Sequence, residues 1–274
     1  MGFSWPSGHT AAAAFTFDLD AEAVWESTPE NRSKPGVLSQ GTYGPKVAVP
    51  LILDLLAAHG VRATFFVPGI NVERHRAVVE RVAAAGHELA VHGYTHTSPT
   101  TMTPAEEADE LDRALELLRG LGAAVTGYRS PSWEVSSVTL ELVESRGLRY
   151  TSQFMDDLVP YRHTGRRLIE LPVQWILDDA PHFWFSNASW TKTIRSVAEV
   201  EPIWTEEFEG YRHLGGAYVL TMHPQIIGRP SRLALLDRML ARAVAAEDVW
   251  VATCGELAGH ADAALADAQT GDPA

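Results

Sequence analysis

Two aspartates two residues apart, Asp18 and Asp20 in FTFDLDAE, are the first residues whose types and spacing could do chemistry. The run before them reads as a strand. Their side chains would therefore leave its end on one side, with Leu19 turned to the other. Carboxylates held that close share a proton or a cation; the plain alternative is a pair of solvated acids in a turn. His92 and His96, in HELAVHGYTH, come second. With eleven histidines in the chain the spacing alone says little. The context adds more: His92 closes an apolar run, Gly93 permits a turn, and His96 follows in the loop, so both imidazoles can reach one cation. His87 opens the same run, belongs at its opposite end, and reads as structural.

Arg129 in GYRSPSW ends a further apolar run and precedes a rigid Ser-Pro-Ser. From there it can pair with a carboxylate, unless it is a surface cation. Trp133 is either a pocket wall or core. Asp156 and Asp157 sit in the loop after another run, as pocket groups or as turn and capping acids. His223, in VLTMHP, stands before Pro224, which cannot continue a central strand. Its imidazole is left at the rim, as a site group or as a satisfied structural histidine.

The elements that must position these residues alternate between two periods. Apolar runs that predict strands are 15–19, 63–67, 88–92, 124–129, 149–153, 168–173, 217–222 and 249–253. Helix-period segments fall at 45–58, 72–85, 104–120, 137–146, 194–212 and 231–245. Thr103, Pro104 and Glu106 give one helix a cap, a first-turn proline and a capping-box acid. Gly60, Gly86, Gly122 and Gly147 each follow a helix, where a C-terminal cap belongs. Strands alternating with such helices imply parallel pairing through crossovers. Seven or eight units in about 250 residues predict a closed (β/α) barrel, and no glycine-rich phosphate loop follows the first strand to support a Rossmann reading. Residues 22–44 and 177–190 read as long loops, the second rich in aromatic residues, and loops of that length are usually functional. Residues 1–260 read as one domain and 261–274 as a frayed tail. Asp18, Asp20, His92, His96, Arg129, Asp156 and His223 all fall at or just past C-terminal strand ends, which form one face in a parallel barrel. A shared site is the simpler account.

Composition narrows the partners. A chain of 274 residues, 46% hydrophobic, can bury a large core, and its net charge of −13 disfavours nucleic acid or an anionic membrane surface. No apolar run approaches the roughly eighteen residues of a spanning helix. The single cysteine, Cys254, lies in an apolar run and reads as a buried, inert thiol. With no leader-like N-terminus, a cytoplasmic setting is expected. A small-molecule or carbohydrate substrate is expected, and a homo-oligomer stays open.

At these residues the sequence resembles the polysaccharide deacetylase family, also called the NodB-homology or carbohydrate esterase 4 family. The family's marks are an aspartate pair after the first strand, a His-x-x-x-His, an Arg-x-Pro segment, a later aspartate and a late histidine. Here they read FDLDAE, HGYTH, RSPSW, MDDLVPY and LTMHP. The resemblance implies a distorted (β/α) barrel with about seven parallel strands and a divalent metal, usually zinc. It matches Asp20, His92 and His96 to the metal ligands and Asp18 to the general base. Arg129 and Asp156 match the groups that support these charges, with Asp157 as the alternative to Asp156, and His223 matches the general acid. The usual adjacent aspartates are here separated by Leu19, and the usual glycine is absent. With YGPKV, TFFVPG, LPVQWILDD and HPQIIGRPSR, this variant resembles a branch of intracellular deacetylase-like proteins that also holds cyclic-imide and allantoin hydrolases.

The expected activity is metal-dependent hydrolysis of a non-peptide carbon–nitrogen bond, first of all in an N-acetylated carbohydrate. The alternative is ring opening of a cyclic imide or ureide. Trp133, Trp175, Phe183, Trp184 and Trp190 could stack on a sugar or close over a small ring, or pack as core. A silent metal-containing binding domain is the non-enzyme alternative; loss of Asp18 or His223 would favour it, and both are present.

Overall fold

The strand that carries the aspartates is longer than its apolar pattern predicts. In a computed structural model, which describes residues 3–185 and 194–270, β1 spans Ala11–Asp18 with every residue buried. Alanine is a poor strand former, so the sequence pattern starts the strand at Phe15; burial overrides propensity here. β1 pairs in parallel with β2 (Thr64–Val67), β8 (Ala217–Met222) and β9 (Val249–Val251). β8 takes one edge, while β2 and β9 divide the other between Thr16–Asp18 and Ala11–Ala13.

The sheet continues through β3 (Glu88–Val91), β4 (Gly127–Tyr128), β5 (Tyr150–Thr151), β6 (Tyr161–Arg162) and β7 (Ile169–Glu170). Its order is β6-β7-β5-β4-β3-β2-β1-β8, with β9 beside β1. Every pair is parallel except β6 with β7. A bridge between Asp178 and Thr221 brings the segment after β7 against β8, so the rim closes at the C-terminal ends of the strands. The result is the distorted, mostly parallel barrel the sequence predicts, and each of the eight expected runs contains a strand. β6 was not foreseen, because its half-buried residues, Tyr161 and Arg162, form no apolar run.

Period-two alternation sorts the side chains of β1. Ala11, Ala13, Phe15, Phe17 and Leu19 join the outer core under the helices, whereas Ala12 and Ala14 join the inner one. Thr16, Asp18 and Asp20 continue the inner series. The helices are α1 (Ala23–Glu26), α2 (Pro35–Tyr43), α3 (Val49–His59), α4 (Gly69–Arg74), α5 (Arg76–Ala84) and α6 (Pro104–Arg119). They continue as α7 (Thr139–Ser145), α8 (Asp179–Phe183), α9 (Val197–Leu214), α10 (Pro224–Ile227), α11 (Pro230–Ala245) and α12 (Cys254–Thr270). The capping box at Thr103 and Glu106 forms as expected, and Gly60 ends α3 with φ 65°.

Three expectations are corrected. Residues 22–44 are not a plain loop, since α1 and α2 occupy much of them. The segment 72–85 is two helices that meet at His75. The tail does not fray at Ala261: α12 runs to Thr270, and Ala261 is buried with Cys254, Leu257 and Ala258 against Ala12 and Ala14. Alternating small residues gave that tail little hydrophobic signal, yet small side chains are what fit the narrow inner face of β1. α12 also packs across the starts of β2 and β3. The Cys254 N–H donates to Thr64 Oγ1 (2.8 Å) and the Gly255 N–H to Glu88 Oε2 (2.8 Å). His87 lies at that same end, its Nδ1 accepting from the Ala63 N–H, as a structural histidine should. Burial pushes the Cys254 thiol up to about 12, which keeps it inert.

Candidate active site

Four loops at the C-terminal ends of β1, β3, β4 and β8 converge on Asp20. Asp20 leaves β1 inward, and His92 Nε2 and His96 Nε2 each lie 3.5 Å from its Oδ1. His223 Nε2 approaches its other oxygen, also at 3.5 Å. His92 is fixed in orientation because its Nδ1 donates to the Arg129 carbonyl (2.8 Å), which leaves Nε2 free to face Asp20. Gly93, with φ 67°, makes the turn from His92. The loop then runs to His96, itself in the left-handed region at φ 60°. The other positive-φ residues besides glycine, among those described, are Ala21, Ser132 and Trp133. All four follow β1, β3 or β4, so backbone strain gathers on the rim.

Asp18 faces different partners. The Arg129 guanidinium, fully buried, donates through Nη1 to Asp18 Oδ1 (2.7 Å) and Thr16 Oγ1 (2.9 Å), and through Nη2 to Ser152 Oγ (2.9 Å). It stacks over the Phe66 ring at 4.0 Å. His223 donates through Nδ1 to Asp179 Oδ1 (2.6 Å), and its N–H donates to Asp179 Oδ2 (2.9 Å). Trp133 packs against Trp175, ring centroids 4.3 Å apart, with Trp175 45% exposed. Trp25 and Trp184 stack at 4.6 Å and join the loop after Asp20 to the one after Asp179. Phe183 is core, and Trp190 lies outside the described residues.

Residues 41–151 match the family described as polysaccharide deacetylase. A peptidoglycan deacetylase of Helicobacter pylori is 30% identical over 279 residues, covering 89% of this chain and 94% of the relative. This chain belongs to the polysaccharide deacetylase family. The family's members are hydrolases of carbon–nitrogen bonds other than peptide bonds, and this chain is a hydrolase of that class. A crystal structure of a Mycobacterium smegmatis protein designated a polysaccharide deacetylase is 40% identical, covers 98% of this chain and 94% of its own, and superposes with a TM-score of 0.91. The PuuE allantoinase structure is 23% identical, covers 94% and 92%, and has a TM-score of 0.81. At that identity it shows a shared fold. The family match begins at residue 41, so Asp18 and Asp20 stand on the geometry.

Burial alone would raise the Asp18 carboxyl, but the Arg129 guanidinium, helped by His92 and His223, holds it below the usual carboxylate range. Burial, only partly opposed by His223 and reinforced by Asp18, Asp178 and Asp179, pushes Asp20 well up. Burial lowers His92, and lowers His96 further with His92 and His223 beside it. His223 goes the other way: despite burial, Asp179 and Asp178 hold its proton on well above the usual histidine range. The surroundings thus favour charge on Asp18 and His223 and disfavour it on His92 and His96.

Asp20 is the misfit. Both of its oxygens are buried and accept no hydrogen bond, which is costly for a carboxylate without a cation. A carboxylate and two imidazoles aimed at one point fit a divalent cation. The donors of Asp20, His92 and His96 lie within 4.8 Å of one another. Asp178, Asp179 and His223 also cluster, but Asp179 is bonded to His223, and Asp178 Oδ1 caps α8 by accepting from the Ala180 N–H. That second cluster is a proton-holding pair, not an open cation site.

The structure brings together Asp18, Asp20, His92, His96, Arg129 and His223. It does not bring Asp156 to them: Asp156 is exposed and accepts from the Tyr161 hydroxyl (2.8 Å), while exposed Asp157 accepts from the Leu158 N–H. The expected support for His223 comes from Asp178 and Asp179 instead. Their signal was present as the aspartate pair in LPVQWILDD, past the run 168–173, but the identical pair at 156–157 drew the match.

Proposed function

We propose that this hydrolase removes the acetyl group from an N-acetylated carbohydrate, with a divalent cation, zinc above others, held by Asp20, His92 and His96. The observation that carries the metal reading is the buried Asp20 carboxylate with no hydrogen bond on either oxygen. When bound, such a cation lowers the pKa of water towards about 7 and polarises the amide carbonyl. The chain's own residues handle the protons. Arg129 occupies Asp18 Oδ1, so Oδ2 is the oxygen available to take a proton from the attacking water. Asp179 occupies His223 Nδ1, so Nε2 presents its proton to the leaving nitrogen, which departs poorly as an anion. The open face of Trp175, braced by Trp133, suits a sugar ring.

A second reading, ring opening of a small cyclic imide or ureide, is favoured by one observation. Asp18, Asp20, His92, His96 and His223 are each no more than 9% exposed, and a small flat amide needs little room. Both readings share the attack and differ in what leaves. Metal-loaded protein tested on N-acetylglucosamine oligomers, succinimide, hydantoin and allantoin separates them. Acetate release supports the deacetylase reading, ring opening without acetate release replaces it with the second, and hydrolysis of none of these overturns both.

A further inference from the structure

Three consecutive residues at the start of α4 hold both loops that carry the proposed ligands. The Gly69 and Ile70 N–H groups donate to the carbonyls of Gly93 and Tyr94, each at 3.0 Å. Those carbonyls belong to the turn between His92 and His96. The next residue, Asn71, is fully buried, and its side-chain Nδ2 donates to the carbonyls of Leu19 and Asp20, each at 2.7 Å. Four carbonyls from two separate loops are gathered on one short piece of chain. The fit is close. A Cβ on Gly69 would come within 2.7 Å of the Tyr94 ring and 2.9 Å of the Ala114 Cα.

The two carbonyls that Asn71 holds belong to the peptide planes on either side of the Asp20 Cα. Fixing both planes fixes the direction in which the Asp20 side chain leaves the backbone. The Asp20 carbonyl also accepts from the Ala23 N–H (3.0 Å), but its side chain has no hydrogen-bonded anchor, because neither carboxylate oxygen accepts a hydrogen bond; the His92 side chain, by contrast, has its own anchor on Arg129. Ala21, the next residue, has φ 46°, a conformation that a residue with a Cβ keeps only where its surroundings impose it.

We propose that Asn71 is a positioning residue for the metal centre: its amide sets the direction of the Asp20 carboxylate and, with Gly69 and Ile70, the spacing between Asp20 and the two histidines. This rests on the reading of Asp20 as a ligand. Groups that orient ligands from behind typically change metal affinity by about 10–100-fold when removed. A residue that only satisfied buried carbonyls would lower stability and leave the affinity of the folded protein alone.

The test is cobalt titration of metal-free wild type, Asn71→Ala, Asn71→Ser and Asp20→Asn. It reads affinity by competition with a chelator, the visible absorption band, and the melting temperature of each metal-free form. The expected result is one cobalt per wild-type chain, binding weakened about 10–100-fold in Asn71→Ala with an altered band, and an intermediate loss in Asn71→Ser. Asn71→Ser keeps one donor and carries the test if the alanine variant fails to fold. Wild-type affinity and band in folded Asn71→Ser, whatever its melting temperature, overturn the positioning role. No cobalt uptake by wild type, or wild-type affinity in Asp20→Asn, overturns the ligand reading itself, and that failure shows in proteins whose Asn71 is intact.

Discussion

Asp18 and Asp20 stand two positions apart and meet opposite surroundings, and the proposed division of roles follows from that difference. Asp18 is bonded to a buried arginine; neither carboxylate oxygen of Asp20 accepts a hydrogen bond. Replacing Asp18 with Asn keeps the shape and removes the proposed base, so turnover should fall by a factor of about 10² or more while metal content stays near wild type. Loss of metal in proportion to activity would make Asp18 a ligand instead. His223 gives a pH prediction with a definite sign. Its proton is held on above the usual histidine value near 6.5 despite burial, with Asp179 the largest favourable influence. The acid form is therefore present at neutral pH and is lost as pH rises, so the rate should fall on the alkaline side. Asp179→Asn should move that fall to lower pH, a shift read from kcat against pH; an unmoved limb would remove the pair from the mechanism. Six residues of the candidate site were legible because five stand at or within two residues of a strand end and His96 follows in the same loop as His92. Asp178 and Asp179 were not, since two identical aspartate pairs compete in the sequence and only the bridge to Thr221 shows which one returns to His223.

At the scale of elements, the loop after β1 is held by its own contacts. Glu22 accepts from Thr42 Oγ1 on α2 and pairs with His75 Nε2 at 2.7 Å, between α4 and α5. Burial would raise this carboxyl, but the hydrogen bonds from His75 and Thr42 bring it down to about 2. A carboxyl whose value is depressed on folding adds stability above its ordinary value of about 4.5, and loses it as pH falls towards 2. Glu22→Gln should thus lower the melting temperature near pH 7 by about 2–4 °C, with the gap to wild type closing between about pH 4.5 and 2. A gap that stays constant with pH would mean that the ionised clamp contributes nothing. The helices on either side of this clamp escaped the sequence pattern because α1 has four residues and α2 begins at Pro35 with few apolar positions. Short elements held by side-chain bonds leave a weak periodic trace. α6, with its capping box and sixteen residues, was read correctly for the opposite reason.

For the whole molecule, alternation of strand and helix was enough to predict the parallel barrel, because each long element carries its own period. What it could not supply is how the barrel closes. The rim is joined by one bridge from Asp178, and the opposite end is packed by the small residues of α12, features that depend on fit and not on hydrophobic content. That closure lets loops far apart in sequence meet over Asp20, and the account depends on what they do there. The most direct measurement is acetate release from N-acetylglucosamine oligomers by metal-stripped protein as zinc is added back. The account predicts no release from stripped protein and a rate that rises with zinc and levels off at one equivalent per chain. Full activity in the stripped protein, or none at any zinc loading, would contradict it.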